Sequence, residues 1–247
     1  MRKTRIFIDQ KLRVGAVVVL ADEATHYISH VLRLRLGHPL ILFNGLGGEY
    51  DAEIFKVNKR SVEVQINQYQ DVDKEPPLHI ILAQGISRGQ KMDFILQKAV
   101  ELGVNRIIPV MTEYGNVRLD EERQQKKIKH WNGIIIGACE QCGRNKIPEL
   151  VAPLGFDECL GMDAGTDRGM TKIVLHSGTG GRLSKLAKPG GGIILLVGPE
   201  GGFSENEIEK ACSADYQIIK IGPRILRTET AALATISACQ TLWGDFG

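Results

Sequence analysis

The sequence predicts an α/β fold, with a mostly parallel sheet behind a smaller β-rich segment. Three observations carry the prediction. Short apolar runs, Lys172–His176, Gly192–Val197 and Gln217–Ile221, have the make-up of strands buried on both faces. Helix-length stretches alternate with strands throughout the rear of the chain, which is the rhythm of crossover-connected parallel strands. The stretch Asp71-Val72-Asp73-Lys74-Glu75-Pro76-Pro77 ends in two prolines, which neither a helix interior nor a central strand accommodates. It marks a seam, giving domains of residues 1–72 and 73–247.

The front segment reads as strands at Arg5–Ile8, Ala16–Leu20, Pro39–Phe43, Tyr50–Val57 and Ser61–Gln68, with turns at Asn44-Gly45 and Asn58-Lys59. One helix is predicted over Asp22–Leu34, from Ile28, Val31, Leu32 and Leu36 at helical spacing. Several short strands in so few residues suggest a small barrel, either of the nucleic-acid-binding kind or one that is structural or dimerising. Behind the seam, His79–Ala83 is a strand and Lys91–Leu102 an amphipathic helix capped by Gly103. Arg106–Met111 is the next strand, and Asp120–Cys142 a long helix. The three apolar strands follow, and Thr230–Trp243 is the closing helix.

Composition bounds the function. Of 247 residues, 43% are hydrophobic and 24% charged, which excludes global disorder. A net charge of +2 excludes a uniform basic coat but not a local patch. Residues 1–72 hold 10 Lys and Arg against 8 Asp and Glu, and the remainder 21 against 21. The excess therefore lies in front, where Arg2, Lys3, Arg5, Lys11, Arg13, Arg33 and Arg35 stand. No apolar run is long enough to span a bilayer, and the start has no apolar signal region. Five cysteines without a secretory signal read as reduced thiols, so the expectation is a cytoplasmic protein with no membrane association.

Three strands lead into loops of unusual make-up. They are Leu175-His176-Ser177-Gly178-Thr179-Gly180-Gly181, Gly198-Pro199-Glu200-Gly201-Gly202-Phe203-Ser204 and Gly222-Pro223-Arg224-Ile225-Leu226-Arg227-Thr228-Glu229-Thr230. In open α/β sheets ligands bind beyond the carboxyl ends of the strands, and glycines let backbone approach a ligand closely. Ser204 to Glu207 fits a capping box, so Gly201 and Gly202 precede a helix N-terminus suited to polar ligand groups. Neither the dinucleotide fingerprint nor a P-loop is present. The expected ligand is nucleotide-like, held by another backbone geometry.

At Gly198 to Gly202 and Gly222 to Ala231 the chain resembles the SPOUT RNA methyltransferases, and within them the ribosomal RNA small subunit methyltransferase E family. Ser87-Arg88-Gly89-Gln90-Lys91-Met92, Gln97 to Gly103 and Glu140-Gln141-Cys142-Gly143-Arg144 agree, in the right order over nearly the whole chain. The resemblance implies a PUA-like RNA-binding β-barrel in front and a SPOUT domain behind, whose C-terminal segment is threaded into a deep trefoil knot. It implies a homodimer that methylates N3 of a uridine in 16S rRNA of the small ribosomal subunit, with S-adenosylmethionine as donor.

The implied cofactor residues are Leu175, His176 and Gly178 in the first loop, then Gly198, Glu200, Gly201 and Gly202 in the second. Ile221, Gly222, Leu226 and Thr228 complete the set in the third. The first loop departs from the family in being richer in glycine, which leaves backbone contacts there.

Methyl transfer from a sulfonium is an in-line displacement that needs donor and acceptor aligned. Uridine N3 must lose its proton, for which Glu229 is the first candidate base and Glu140 the second. A helix N-terminal carboxylate, or proton loss to bulk water, is the alternative. Arg227 and Arg144 are candidates to stabilise charge on the uracil oxygens. Arg5, Arg33, Arg35, Arg88, Lys91 and Arg224 are candidate phosphate partners, each with a solvated surface charge as its alternative.

Other signals carry less. Cys139 and Cys142 form a single pair on a helix, without the second pair a zinc site needs, so no metal is expected. His26 and His30 lack the intervening glutamate of a zincin. Trp131 and Trp243 fit core or interface, and Leu233, Ile236, Leu242 and Trp243 fit either a dimer face or burial on the sheet. The rival readings are another SPOUT methylation, of ribose or guanine, and a non-catalytic RNA-binding assembly factor. A Rossmann oxidoreductase is disfavoured by the missing fingerprint.

Overall fold

The computed structural model describes residues 3–58, 61–115, 120–162 and 169–247. The chain folds into two compact units, one of residues 1–75 with 139–147, the other of 76–138 with 148–247.

The first unit is built on a five-stranded sheet: β1 (Thr4–Phe7), β2 (Val17–Val19), β3 (Pro39–Phe43), β4 (Glu49–Val57) and β5 (Val62–Gln70). The order is β1-β3-β4-β5-β2, with β1 parallel to β3 and the other pairs antiparallel. Alternation along β5 turns Val62, Val64 and Ile66 inward, onto Ile6, Leu40, Leu42 and Ile54. The Asn44 side chain accepts the Leu46 N–H at 3.3 Å and shapes the turn into β4. Asn58 closes the β4–β5 connection on Ser61; Lys59, like Arg2, lies outside the described residues.

The helix expected over Asp22–Leu34 takes another form. An α-helix, α1, covers only Asp22–His26, and Tyr27–Val31 is a π-helical turn in which the Leu32 N–H reaches the Tyr27 carbonyl. Arg33, with φ of +52°, ends it. Ile28 is buried, whereas Val31 and Leu36 face solvent.

In the second unit the strands are β6 (Ile80–Gly85), β7 (Arg106–Met111), β8 (Glu149–Leu150), β9 (Leu154–Gly155), β10 (Thr171–Leu175), β11 (Ile193–Val197) and β12 (Gln217–Ile219). The helices are α2 (Gln90–Glu101), α3 (Glu121–Cys142, whose last four residues belong to the first unit), α4 (Phe156–Leu160), α5 (Glu205–Ser213) and α6 (Thr228–Trp243). The sheet order is β12-β10-β11-β6-β7-β8, with β9 beside β7, and every pairing is parallel. Every residue of β6 and β11 is buried, as a sheet covered on both faces requires. The short β8, β9 and α4 carry no pattern long enough to be read from sequence. Trp131 and Ile236 are core, while Leu242 is 46% exposed. Among the described residues no helix is long and apolar enough to cross a membrane.

Because β10, β11 and β12 are parallel and adjacent, their carboxyl ends lie at one edge of the sheet. The three glycine-rich loops therefore emerge side by side.

Candidate active site

A cleft of about 670 Å³ opens at that edge. Leu175 and His176 line it from the first loop, Gly198, Glu200, Gly201 and Gly202 from the second. Ile221, Leu226 and Thr228 line it from the third, as do Arg224 and Arg227, and Lys91 reaches it from α2. Gly178 and Gly222 are in the loops but not in the lining. Sequence reasoning passed over Lys220, Phe203, Ile225 and Ala231, which also line the cleft. Lys220 directly follows β12 on the way into the third loop, which was its only signal.

The first loop is tied to β12. Gly181 N–H donates to the Ile218 carbonyl at 2.9 Å, Lys220 N–H to Gly181 at 3.0 Å, and the Lys220 ammonium to the Gly178 carbonyl at 3.1 Å. His176 turns back on its own loop, where its Nδ1 accepts the Gly178 and Thr179 N–H groups at 3.2 and 3.3 Å. Those bonds require an unprotonated Nδ1.

In the second loop the capping box is present. Ser204 Oγ accepts the Glu207 N–H and Glu207 Oε2 accepts the Ser204 N–H. A Cβ on Gly201 would meet the Tyr114 Cβ at 2.8 Å, so this backbone lies as close to its neighbour as only glycine permits. Glu200 accepts from the Arg88 N–H at 3.3 Å and from Lys91 Nζ at 3.1 Å. Burial raises the Glu200 carboxyl, but its own backbone N–H, Lys91 and Arg88 outweigh it and hold the group below the usual range. The Arg88 side chain is exposed and outside the lining.

The third loop leads into α6. Thr228 Oγ1 donates to the Gly198 carbonyl at 2.6 Å and so joins the start of α6 to the second loop. Glu229 is the next residue. Its Oε2 is buried and, among the described residues, has no hydrogen-bond partner.

Three residues expected at the site are placed in the first unit, in a buried charged cluster. The Arg5 guanidinium, its side chain 4% exposed, pairs with Glu49, donates to Asn145 Oδ1 and the Arg144 carbonyl, and lies 4.8 Å over the Phe43 ring. Arg144 pairs with Glu75, both nearly buried. Glu140 accepts the Phe7 N–H at 2.9 Å, and burial pushes its carboxyl up against the opposing effects of that bond and Arg5. The reason is tertiary: acidic and amide groups distant in sequence enclose these side chains. Arg33 and Arg35 are exposed on the first unit. Burial pushes the Cys139 thiol up to about 12, which suits a packed thiol rather than a reactive one. Among the described residues no three His, Cys, Asp or Glu side chains group to hold a metal.

The size and lining of the cleft fit an adenosyl-type ligand. Loop backbone supplies hydrogen-bonding groups, and Leu175, Val197, Ile219, Ile221 and Leu226 supply apolar surface within the usual ligand-site volume of roughly 300–1,000 Å³.

Comparison with known proteins agrees. Residues 74–240 match the family model of the RNA methyltransferase domain, and residues 20–67 that of the RNA methyltransferase PUA domain. Ribosomal RNA small subunit methyltransferase E of Buchnera aphidicola subsp. Schizaphis graminum is 41% identical, covering 99% of this chain and 98% of its own. The Bacillus subtilis protein of the same name is 31% identical, covering 95% and 94%. A crystal structure of ribosomal RNA small subunit methyltransferase E from Neisseria gonorrhoeae bound to S-adenosyl methionine superposes with a TM-score of 0.92 at 40% identity, over 100% of both chains. A Legionella pneumophila structure in complex with the bound cofactor SAM reaches 0.95 at 40% identity, again over 100% of both. The chain thus belongs to the ribosomal RNA small subunit methyltransferase E family.

Proposed function

We propose that this protein is an S-adenosylmethionine-dependent methyltransferase that methylates N3 of a uridine in 16S rRNA of the small ribosomal subunit. The observation that carries the reading is the cleft formed by three adjacent parallel-strand loops, in a chain whose full-length relatives bear that enzyme's name.

The second-loop residues Gly198, Glu200, Gly201 and Gly202 hold the cofactor with Leu175, His176, Ile221, Leu226 and Thr228. Gly178 and Gly222 shape the loops that carry them. When bound, the cofactor supplies an electrophilic methyl group on a sulfonium. The chain's own residues do the rest. Glu229, beside the cleft-lining Thr228, takes the N3 proton of the target uridine. Arg227, which lines the cleft, faces the charge that then spreads over the uracil oxygens. Glu140 and Arg144 are left out of the catalytic set, because each already serves the buried cluster of the first unit.

The RNA-contacting set is Arg33 and Arg35 on the first unit, with Arg88, Lys91 and Arg224 on the second. Arg5 drops out because its guanidinium is enclosed. Residues 1–72 act as a PUA-like RNA-binding domain and 73–247 as the SPOUT domain. We infer a knotted C-terminal segment: β12 lies at the sheet edge beyond β10, while α6 returns to pack on α2 and β11. Exposed Leu242 at the end of α6 supports a homodimer, and the five unpaired cysteines suit a cytoplasmic enzyme. The target base must leave its stack to reach such a cleft.

The test is transfer of labelled methyl from S-adenosylmethionine to small subunits or 16S rRNA lacking the modification, followed by nucleoside analysis. The expected product is 3-methyluridine. A ribose-methylated nucleoside or a methylguanosine would redirect the reading to another SPOUT reaction. No label in any RNA would leave a binding factor.

A further inference from the structure

We propose that Gln84, a residue outside the cleft lining, is a positioning residue that latches the second and third loops together and so sets the shape of the cofactor cleft. The inference deepens the proposed function and rests on that reading for its consequence, though not for its structural content.

Gln84 is fully buried near the end of β6, a strand whose preceding residues are Ile80, Ile81, Leu82 and Ala83. It stands opposite Val197, the last residue of β11, where the second loop begins. Its amide donates from Nε2 to Thr228 Oγ1 at 3.0 Å and to the Gly85 carbonyl at 3.0 Å, with the Gly198 carbonyl further off at 3.4 Å. Thr228 Oγ1, having accepted that bond, donates its own proton to the Gly198 carbonyl. A chain of two bonds thus runs from the central strand to the first residue of α6 and on to the first residue of the second loop.

The other end of the amide argues that this arrangement is retained for a purpose. Gln84 Oε1 is buried and has no partner among the described residues. Leaving a buried acceptor unmade destabilises a fold, and an apolar side chain of similar size at this position would carry no such acceptor. What the glutamine provides is a donor that fixes the Thr228 hydroxyl in one rotamer, aimed at Gly198. No other side chain from the neighbouring strand β6 donates into these loops. Neither Gln84 nor its chemistry touches the cleft directly, so it acts through Thr228 and Gly198.

Two measurements on the whole protein test the latch. The first needs no ligand: amide hydrogen exchange of residues 198–204 and 222–228. In Gln84→Leu and in Thr228→Val these segments should exchange faster by roughly tenfold, while β6 and β11 stay protected; in Thr228→Ser, which keeps the hydroxyl, they should not. The second is S-adenosylmethionine titration. Gln84→Leu and Thr228→Val should each weaken affinity by roughly tenfold, and the double variant should lose no more than either single one.

Unchanged exchange in a folded Gln84→Leu protein overturns the latch, as do losses that add fully in the double variant. Should Gln84→Leu fail to fold, the Thr228→Val and Thr228→Ser pair decides: equal behaviour of the two overturns the proposal. An unaltered protein that does not bind S-adenosylmethionine defeats the proposed function instead, and the exchange result still judges the latch.

Discussion

Glu207 reaches back from α5 to the loop after β7: its Oε1 accepts the Glu113 N–H at 2.8 Å while its Oε2 holds Ser204. One buried carboxylate, 5% exposed, thus caps its own helix and anchors the turn whose next residue, Tyr114, lies against Gly201. Glu207→Ala removes two hydrogen bonds to a charged acceptor. It should destabilise the protein by about 3 kcal/mol in denaturant unfolding and weaken S-adenosylmethionine binding with it. A loss below about 0.5 kcal/mol would show that water replaces the carboxylate without cost.

Gly201→Val should abolish measurable S-adenosylmethionine binding in a folded protein. The added Cβ would come within 2.8 Å of the Tyr114 Cβ, so the loop or the tyrosine must shift. Calorimetric titration checks this, and unaltered affinity would mean that the cradle tolerates a side chain.

Glu229→Gln separates base from helix-end carboxylate. If Glu229 takes the N3 proton, kcat should fall by roughly 100-fold with cofactor affinity nearly unchanged. If it only complements the α6 dipole, turnover should stay near normal, with a stability loss of about 0.5 kcal/mol. Single-turnover methyl transfer distinguishes the two.

Arg5→Met should act on folding rather than on RNA contact. It takes the guanidinium from the nearly buried Glu49 and leaves only Lys74, 3.9 Å away, so the loss should approach but not exceed the about 3–5 kcal/mol of a buried pair broken from one side. Unfolding curves measure the loss. A stable variant with weakened RNA binding would return Arg5 to the RNA-contacting surface.

The Lys91–Glu200 pair should persist well into acid. Glu200 has a depressed carboxyl value, so its contribution is complete above the ordinary 4.5 and disappears as pH falls through the lower folded value. Between pH 7 and 5 the Glu200 carboxylate signal in NMR should not move. Titration near pH 5 would mean that the pair is broken in solution.

Much of this arrangement was legible in the sequence. Ile193–Val197 announces a strand covered on both faces because burial on both sides demands an unbroken apolar run. Ser204 and Glu207 announce a helix start because their bonds are local. Ile28, Val31, Leu32 and Leu36 mislead for the opposite reason: helical spacing does not reveal that the turn widens at Tyr27 and stops at Arg33. Arg5 looks like any basic residue near a chain start until Glu49 and Asn145 close around it. Gln84 falls just past the strand read as His79–Ala83, and nothing local points to Thr228, 144 positions away.

The adjacency of β12, β10 and β11 also has a consequence for biosynthesis. Apart from Lys91, the cleft is drawn from residues 175–231, so a nascent chain exposes no complete donor site until α6 has left the ribosome. Whatever stabilisation the bound donor adds by mass action reaches only the finished domain, and earlier folding of β6, β7 and α2 must proceed without it.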